Sequence, residues 1–364
     1  VASVLHRGAM FQGHLVEEFE LACAECCGRE LAVAVSSGTA ALHCALTGLG
    51  LTEGDEVVTT PYAPVALINA ILYTRARPVL VDIDPKTLTL APEKLEAAIT
   101  PRTRAVLALD VFGHPAGMSE IEQIAGRHEI PLIEDACAGF GARWKSRPVG
   151  SFGRASVLSF CDSCVLTTGE GGMVVTDDHR LANVCRSLRD QGRENRAWDI
   201  HTRLGFSYRM CEMNAALGLA QFGHFQEILD QRRRLAREYF EALMTSGYVT
   251  LPTIEQDTSL SWSSFAVRLN ELFEPSDRDE VIRLLRLEGI GCQAHLPALH
   301  LQPYLMPLLK TAERDFPVCE YVASRTIALP LWVKMQSADV RRVCTTLHQV
   351  CERVLTSRND RMKQ

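Results

Sequence analysis

Apolar positions recur at helical spacing from Val16 to Cys27 (Val16, Phe19, Leu21, Cys23), which predicts an amphipathic helix. Leu31–Val35 is a short apolar run and predicts a buried strand. Ser36-Ser37-Gly38-Thr39 follows as a turn whose hydroxyls suit the start of a helix over Ala40–Leu49. The alternation continues with strands at Glu56–Thr60, Arg77–Asp82, Arg104–Leu109 and Pro131–Glu134. Between them the pattern predicts helices at Ala63–Tyr73, Pro92–Ile99 and Met118–His128, with Pro92 suited to a first helical position. Such alternation builds a mostly parallel sheet covered by helices.

Beyond Asp135 the pattern changes. Phe140–Val149 reads as an irregular strand and turn. Ala155–Phe160 and Gly172–Thr176 read as strands, and Leu181–Arg189, Arg209–His224 and Phe225–Ser246 as helices. From about Val249 the chain reads α+β. Strands are expected at Ser264–Leu269 and near Gly291–His295, and helices at Asp277–Glu288, Pro317–Arg325 and Ser337–Thr356. Ser357–Gln364 reads as a frayed tail. Two domains are expected, residues 1–240 and 241–364, with no internal repeat.

The 364 residues include 38 Lys and Arg against 44 acids, a net charge of −6, which argues against a nucleic-acid target. Hydrophobic residues form 47% and charged residues 23%, as in globular domains. Thirteen cysteines scattered along so long a chain predict reduced thiols and a cytoplasmic setting rather than a disulfide framework. No apolar run reaches the roughly 20 residues of a membrane span, and no signal-peptide pattern opens the chain. The chain begins with Val1 rather than Met, which points to trimming.

Three local features carry chemistry. Gly38-Thr39-Ala40 opens a helix after a strand, where backbone amides form an anion site. Asp135 ends a strand, on the side of an open α/β sheet where ligands gather. Thr167-Thr168-Gly169-Glu170-Gly171-Gly172 is a Gly-rich turn shortly after Ser159-Phe160. Together they suit a cofactor with a phosphate at one end and a protonatable ring nitrogen at the other, as in pyridoxal phosphate (PLP).

The chain resembles the DegT-type (DegT/StrS) sugar aminotransferases, PLP enzymes of fold type I. The resemblance rests on Ser37-Gly38-Thr39-Ala40-Ala41-Leu42, Gly54-Asp55-Glu56-Val57, Ile133-Glu134-Asp135-Ala136, Val149-Gly150-Ser151-Phe152-Gly153 and Thr168-Gly169-Glu170-Gly171-Gly172. Leu204-Gly205-Phe206, Tyr208-Arg209-Met210, His300-Leu301-Gln302-Pro303 and Ala328-Leu329-Pro330-Leu331 extend it almost to the end. It implies a large PLP-binding domain, a smaller α+β C-terminal domain and a homodimer with sites at the interface. It also implies amino transfer to keto sugars, usually nucleotide-linked, in amino-sugar or secondary-metabolite biosynthesis. Gly38, Thr39, Ala40, Asp135, Ser159 and Ser207 would contact the cofactor.

The departures fall on that site. Where the family writes Ser-Phe, three variable residues and the Schiff-base Lys, this chain has Ser159-Phe160-Cys161-Asp162-Ser163-Cys164. Only six lysines occur (Lys86, Lys94, Lys145, Lys310, Lys334, Lys363), none in that register. The Lys amine binds the cofactor and moves protons, and a thiol makes no imine. Pro64 stands where the family has an aromatic residue against the ring, with Tyr62 two residues away. Ala138 replaces Gln or His near the cofactor 3-hydroxyl, and Ser207 replaces an Asn that reaches the partner's phosphate.

Three readings follow. The chain holds PLP or pyridoxamine phosphate (PMP) non-covalently, as relatives with His at the Lys position use PMP, because a buried Asp135 without a partner is costly. Alternatively Cys164 is a nucleophile for acyl transfer through a thioester, with His300 or His295 as base. Or the cofactor is absent and the chain is a non-catalytic scaffold, or the heterodimer partner of an active paralogue. No metal site is expected: Cys161 and Cys164 lie over a hundred residues from Cys23, Cys26 and Cys27.

Overall fold

A computed structural model describes residues 1–8, 10–115, 117–194 and 200–362. Its main sheet has seven strands in the order Leu31–Val35, Gly172–Thr176, Ala155–Ser159, Leu132–Asp135, Thr103–Leu109, Glu56–Thr59, Arg77–Leu80. Gly172–Thr176 runs antiparallel to both neighbours, and every other pairing is parallel. These strands are nearly continuous apolar runs because helices cover both faces. Alternation decides the face: Val33 and Val35 pack under the helices Gly38–Gly48 and Val65–Tyr73, while Ala32 and Ala34 face His14–Cys27.

A second, antiparallel sheet has the order Val249–Thr250, Phe265–Leu269, Thr326–Leu329, Gln293–Ala294. Phe225–Leu243, Asp277–Leu287 and Ser337–Met362 share its core. Leu299, Leu305, Cys319 and Val322 belong instead to the core of the large sheet. A boundary at residue 240 falls inside the helix Phe225–Leu243.

Several expectations need correction. Ser357 does not begin a frayed tail, because the helix runs on to Met362. Arg358 anchors its last turns through Asp277 at 2.7 Å and the Leu272 carbonyl at 2.6 Å. The expected helix at Arg209 starts only at Glu212, since Arg209 is held in an extended stretch by Asp190 and Ser207. Leu21 faces solvent, while Val16, Phe19, Cys23 and Cys27 form the buried stripe. The helix Ala2–Arg7 and the strand Thr326–Leu329 were not expected.

The centre of the sheet buries acids. Glu134 is fully buried and accepts from the amides of Gly150 and Phe152 and from Ser156 Oγ at 2.6 Å. Asp110, equally buried, has neither oxygen facing an N–H or O–H donor among the described residues. Burial first, then the neighbouring Glu134, hold its carboxyl well above the ordinary range, so it stays a neutral acid that donates toward Glu134. An acid raised in the fold binds its proton more tightly folded than unfolded. Its contribution is therefore complete below the ordinary Asp value of about 3.9 and is lost as pH rises from there toward the folded value. Asp110→Asn keeps a donor and removes the titration. The variant should gain stability relative to the parent between about pH 5 and about pH 8. Thermal melts at both pH values check this, and a constant difference would contradict it.

Candidate active site at the carboxyl ends of the large sheet

Ser37, in extended conformation, caps the helix Gly38–Gly48 by accepting from the Ala40 amide at 3.1 Å. The first amides, Gly38 and Thr39, are left without intrahelical acceptors, which is the arrangement that takes an anion. The turn is pressed against its neighbours. A Cβ on Gly38 would lie 2.8 Å from Ser159 Cβ, and one on Gly172 would lie 2.2 Å from the Ser37 carbonyl oxygen. The register explains this closeness, because Gly172 pairs with Val35 on one side and Ser159 on the other. The anion turn, Ser159 and the Gly-rich loop thus meet at one sheet end.

Asp135 joins them one strand over, through the pairing of Asp135 with Val157. Its side chain is buried, and Oδ1 accepts from the Cys137 amide at 3.2 Å. Burial pushes its carboxyl above the ordinary range. Among the described residues no Lys, Arg or His forms an ion pair with it. Ala138, next along, offers only its carbonyl, which accepts from Ser261 Oγ at 3.1 Å.

The segment after Ser159 folds back on itself. Phe160 donates to the Gly171 carbonyl and its own carbonyl receives the Thr168 amide. Asn214 Nδ2 clamps the loop through the carbonyls of Thr168 (2.9 Å) and Glu170 (2.6 Å). Within the loop the Cys164 amide bonds the Cys161 carbonyl at 3.1 Å, and this turn brings the two sulfurs to 3.3 Å. The hydrogen bond from Cys164, followed by those from Ser163 and Ser159, lowers the Cys161 thiol to about 5. The same bond, with burial, pushes Cys164 far up. Cys137, also raised by burial, lies within electrostatic reach of both sulfurs and of Asp135. The Arg232 guanidinium is close enough to feel Cys164 and is held by the Trp262 carbonyl at 2.9 Å.

Gly38, Thr39, Ala40, Asp135, Ser159 and Cys164 are therefore linked through contacts at one place. Ser207 is not joined to this set by any contact among the described residues; its hydroxyl receives Arg209 Nη2 at 3.0 Å. His300 is fully buried, with Nε2 3.0 Å from Glu320 and its ring edge-on to Phe316. Among the described residues no hydrogen bond joins it to Cys161 or Cys164. His295 stacks on Phe112 at 5.0 Å between centroids, and burial lowers its pKa. Tyr62 is fully buried, with its hydroxyl bound to the His295 carbonyl and Thr326. Its ring is therefore committed to packing rather than free to lie on a cofactor. Pro64 is exposed and caps the helix Val65–Tyr73.

Sequence reasoning singled out Cys164 and missed the thiolate on Cys161, together with Cys137, Asn214 and Arg232. The signal for Cys161 is its C-x-x-C spacing with Cys164, which brings two sulfurs together on one turn.

Residues 1–348 match the model of the DegT/DnrJ/EryC1/StrS aminotransferase family. GDP-perosamine synthase of Caulobacter vibrioides is 37% identical over 339 residues, 93% of this chain and 90% of that protein. The crystal structure of S. venezuelae DesV in complex with a ketimine intermediate superposes with a TM-score of 0.91 at 34% identity, covering 96% of this chain and 93% of that one. NtdA from Bacillus subtilis with bound PMP gives 0.88 at 29% identity, covering 96% and 80%.

Proposed function

Since the chain belongs to the DegT/DnrJ/EryC1/StrS aminotransferase family, we propose that it is an amino-sugar-pathway homologue that binds PLP or, preferentially, PMP without a covalent bond and does not perform ordinary Lys-dependent transamination. The observation that carries this reading is Asp135, a buried carboxylate with no cationic partner among the described residues, one strand over from Ser159 and the anion turn, at a sheet end where Cys164 stands in the family's Lys register. The residues fit the group in its non-covalent parts. The Gly38 and Thr39 amides, with Ala40 behind them, would hold the phosphate, and Asp135 would keep a proton on the ring nitrogen. Ser159 lines the same floor, and Ser207, in the register of the family Asn, would face the phosphate of the partner subunit's site rather than this one.

When bound, the cofactor supplies an electron-withdrawing ring that weakens substrate bonds next to its reactive carbon. Cys164, protonated in this site, offers no amine, so PMP, which brings its own, suits the cleft better than PLP. In this reading the substrate is a nucleotide-linked keto sugar; the relative named GDP-perosamine synthase supports the nucleotide-linked sugar part of it. The alternative of acyl transfer through Cys164 is less well supported, because His300 is packed against Glu320 and His295 against Phe112 and Ser264. We propose two units, residues 1–240 and 241–364, with the helix Phe225–Leu243 crossing the boundary between them, and a homodimer, with sedimentation as the check on assembly. Among the described residues no helix is long and apolar enough to cross a membrane.

Equilibrium dialysis of the purified protein with PMP tests the reading. Binding is expected, and Asp135→Ala should weaken it by about 10–100-fold, the loss of one charge-assisted hydrogen bond. No binding by the parent protein would favour the non-catalytic scaffold. Equal binding by parent and variant would remove Asp135 from the site.

A further inference from the structure

The sulfurs of Cys161 and Cys164 lie 3.3 Å apart on a half-buried turn whose middle residues, Asp162 and Ser163, are exposed. All thirteen cysteines are free, and eight others are buried. Closing this pair to a disulfide of about 2.05 Å needs only about 1 Å of movement in a loop. No group of three metal ligands surrounds it among the described residues, so metal binding does not account for the contact. Ser163 Oγ lies 3.2 Å from Cys161 Sγ, which gives that sulfur a second hydrogen-bond neighbour and leaves it on the solvent side.

We propose that Cys161 and Cys164 form a redox-active dithiol that exchanges with low-molecular-weight disulfides of the glutathione class on the loop that follows Ser159. Cys161 is the attacking sulfur. Its thiolate attacks one sulfur of the disulfide RS–SR, forming a Cys161–SR bond and releasing RS⁻. Cys164 then loses its proton and attacks the Cys161 sulfur, expelling the second RS⁻ and closing the Cys161–Cys164 bond. Two protein thiols are oxidised, one small disulfide is reduced, and two RSH leave once protonated. Placement assigns these roles: Cys161, which meets the exposed Ser163 hydroxyl, is the nucleophile, and Cys164, on the inner side of the turn, resolves. Because the pair lies beside Ser159 and Cys137, its oxidation replaces two thiols with a disulfide at this end of the sheet. The exchange is independent of whether PMP binds.

The test uses the full-length reduced protein with no cofactor added. It is incubated with oxidised glutathione, quenched in acid, and mapped by mass spectrometry. The expected product is an internal disulfide on the peptide carrying residues 161 and 164. Cys164→Ser should instead trap glutathione on Cys161, and Cys161→Ser should leave Cys164 unmodified. Stable glutathionylation of Cys161 in the parent protein, with no internal bond, would overturn the proposal. So would oxidation of Cys137 or Cys211 ahead of Cys161, or an unmodified pair. Far-UV circular dichroism of both variants separates a lost thiol from a lost fold.

Discussion

Cys164→Lys should turn a protein that takes up no covalent cofactor into one that does. Incubation with PLP and borohydride should leave the parent unmodified at position 164 and label the variant there, as read by peptide mass. The backbone is already placed: Ser159 and Phe160 before it and the clamped loop Thr168–Gly172 after it fix the turn through the Phe160, Thr168 and Asn214 hydrogen bonds. A longer side chain would extend from the position where Cys164 now meets Cys161. Burial and the nearby Arg232 charge would both favour the neutral, nucleophilic amine. Labelling should nonetheless stay substoichiometric. Tyr62 is bound into packing, Pro64 faces solvent and Ala138 presents only backbone, so the ring gains no stacking face or side-chain contact from them. Restored proton transfer is worth about 10²–10⁴-fold, so the variant should show trace glutamate-dependent turnover where the parent shows none. Normal turnover by the parent, or labelling of the parent at position 164, would show that the cofactor reading is wrong.

Gly172→Ala should damage both the fold and the anion turn. The new Cβ would lie 2.2 Å from the Ser37 oxygen, 2.4 Å from its carbon and 2.8 Å from the Gly38 nitrogen, all backbone atoms. They have nowhere to go, because Gly172 is hydrogen-bonded between two strands. Overpacking costs about 1–3 kcal/mol and occasionally more, and a clash with paired backbone belongs at the upper end. The displaced atoms are the ones that aim the Gly38 amide, so PMP binding should disappear even in the folded fraction. Gly126→Ala is the control. It lies in the helix Met118–Arg127 with open space around it, and should stabilise by about 0.5–1 kcal/mol. Chemical denaturation and dialysis on both variants decide the matter. A Gly172→Ala protein that binds PMP like the parent would remove the turn from the site.

Much of this protein was determined by local rules that its sequence displays. Short apolar runs such as 31–35 and 105–109 alternate with helices because strands buried on both faces must be apolar throughout. That alternation alone directs the strand ends carrying Gly38, Asp135 and Ser159 to one side of a parallel sheet. The identity of residue 164 needed only register. What stayed hidden depended on partners far apart in the chain. Ser357 to Met362 is helical because Arg358 meets Asp277, 81 positions away. His300 has the residue type of a base, but its meeting with Glu320 and Phe316 in a packed core is a tertiary event. Tyr62 reads as a spare aromatic until His295 and Thr326 bind its hydroxyl across the two sheets. Which of two cysteines ionises cannot be read from C-x-x-C, because it depends on which sulfur donates across 3.3 Å and on which one burial excludes from water. Periodicity places elements, whereas the charge state of a group depends on neighbours that only the folded chain assembles.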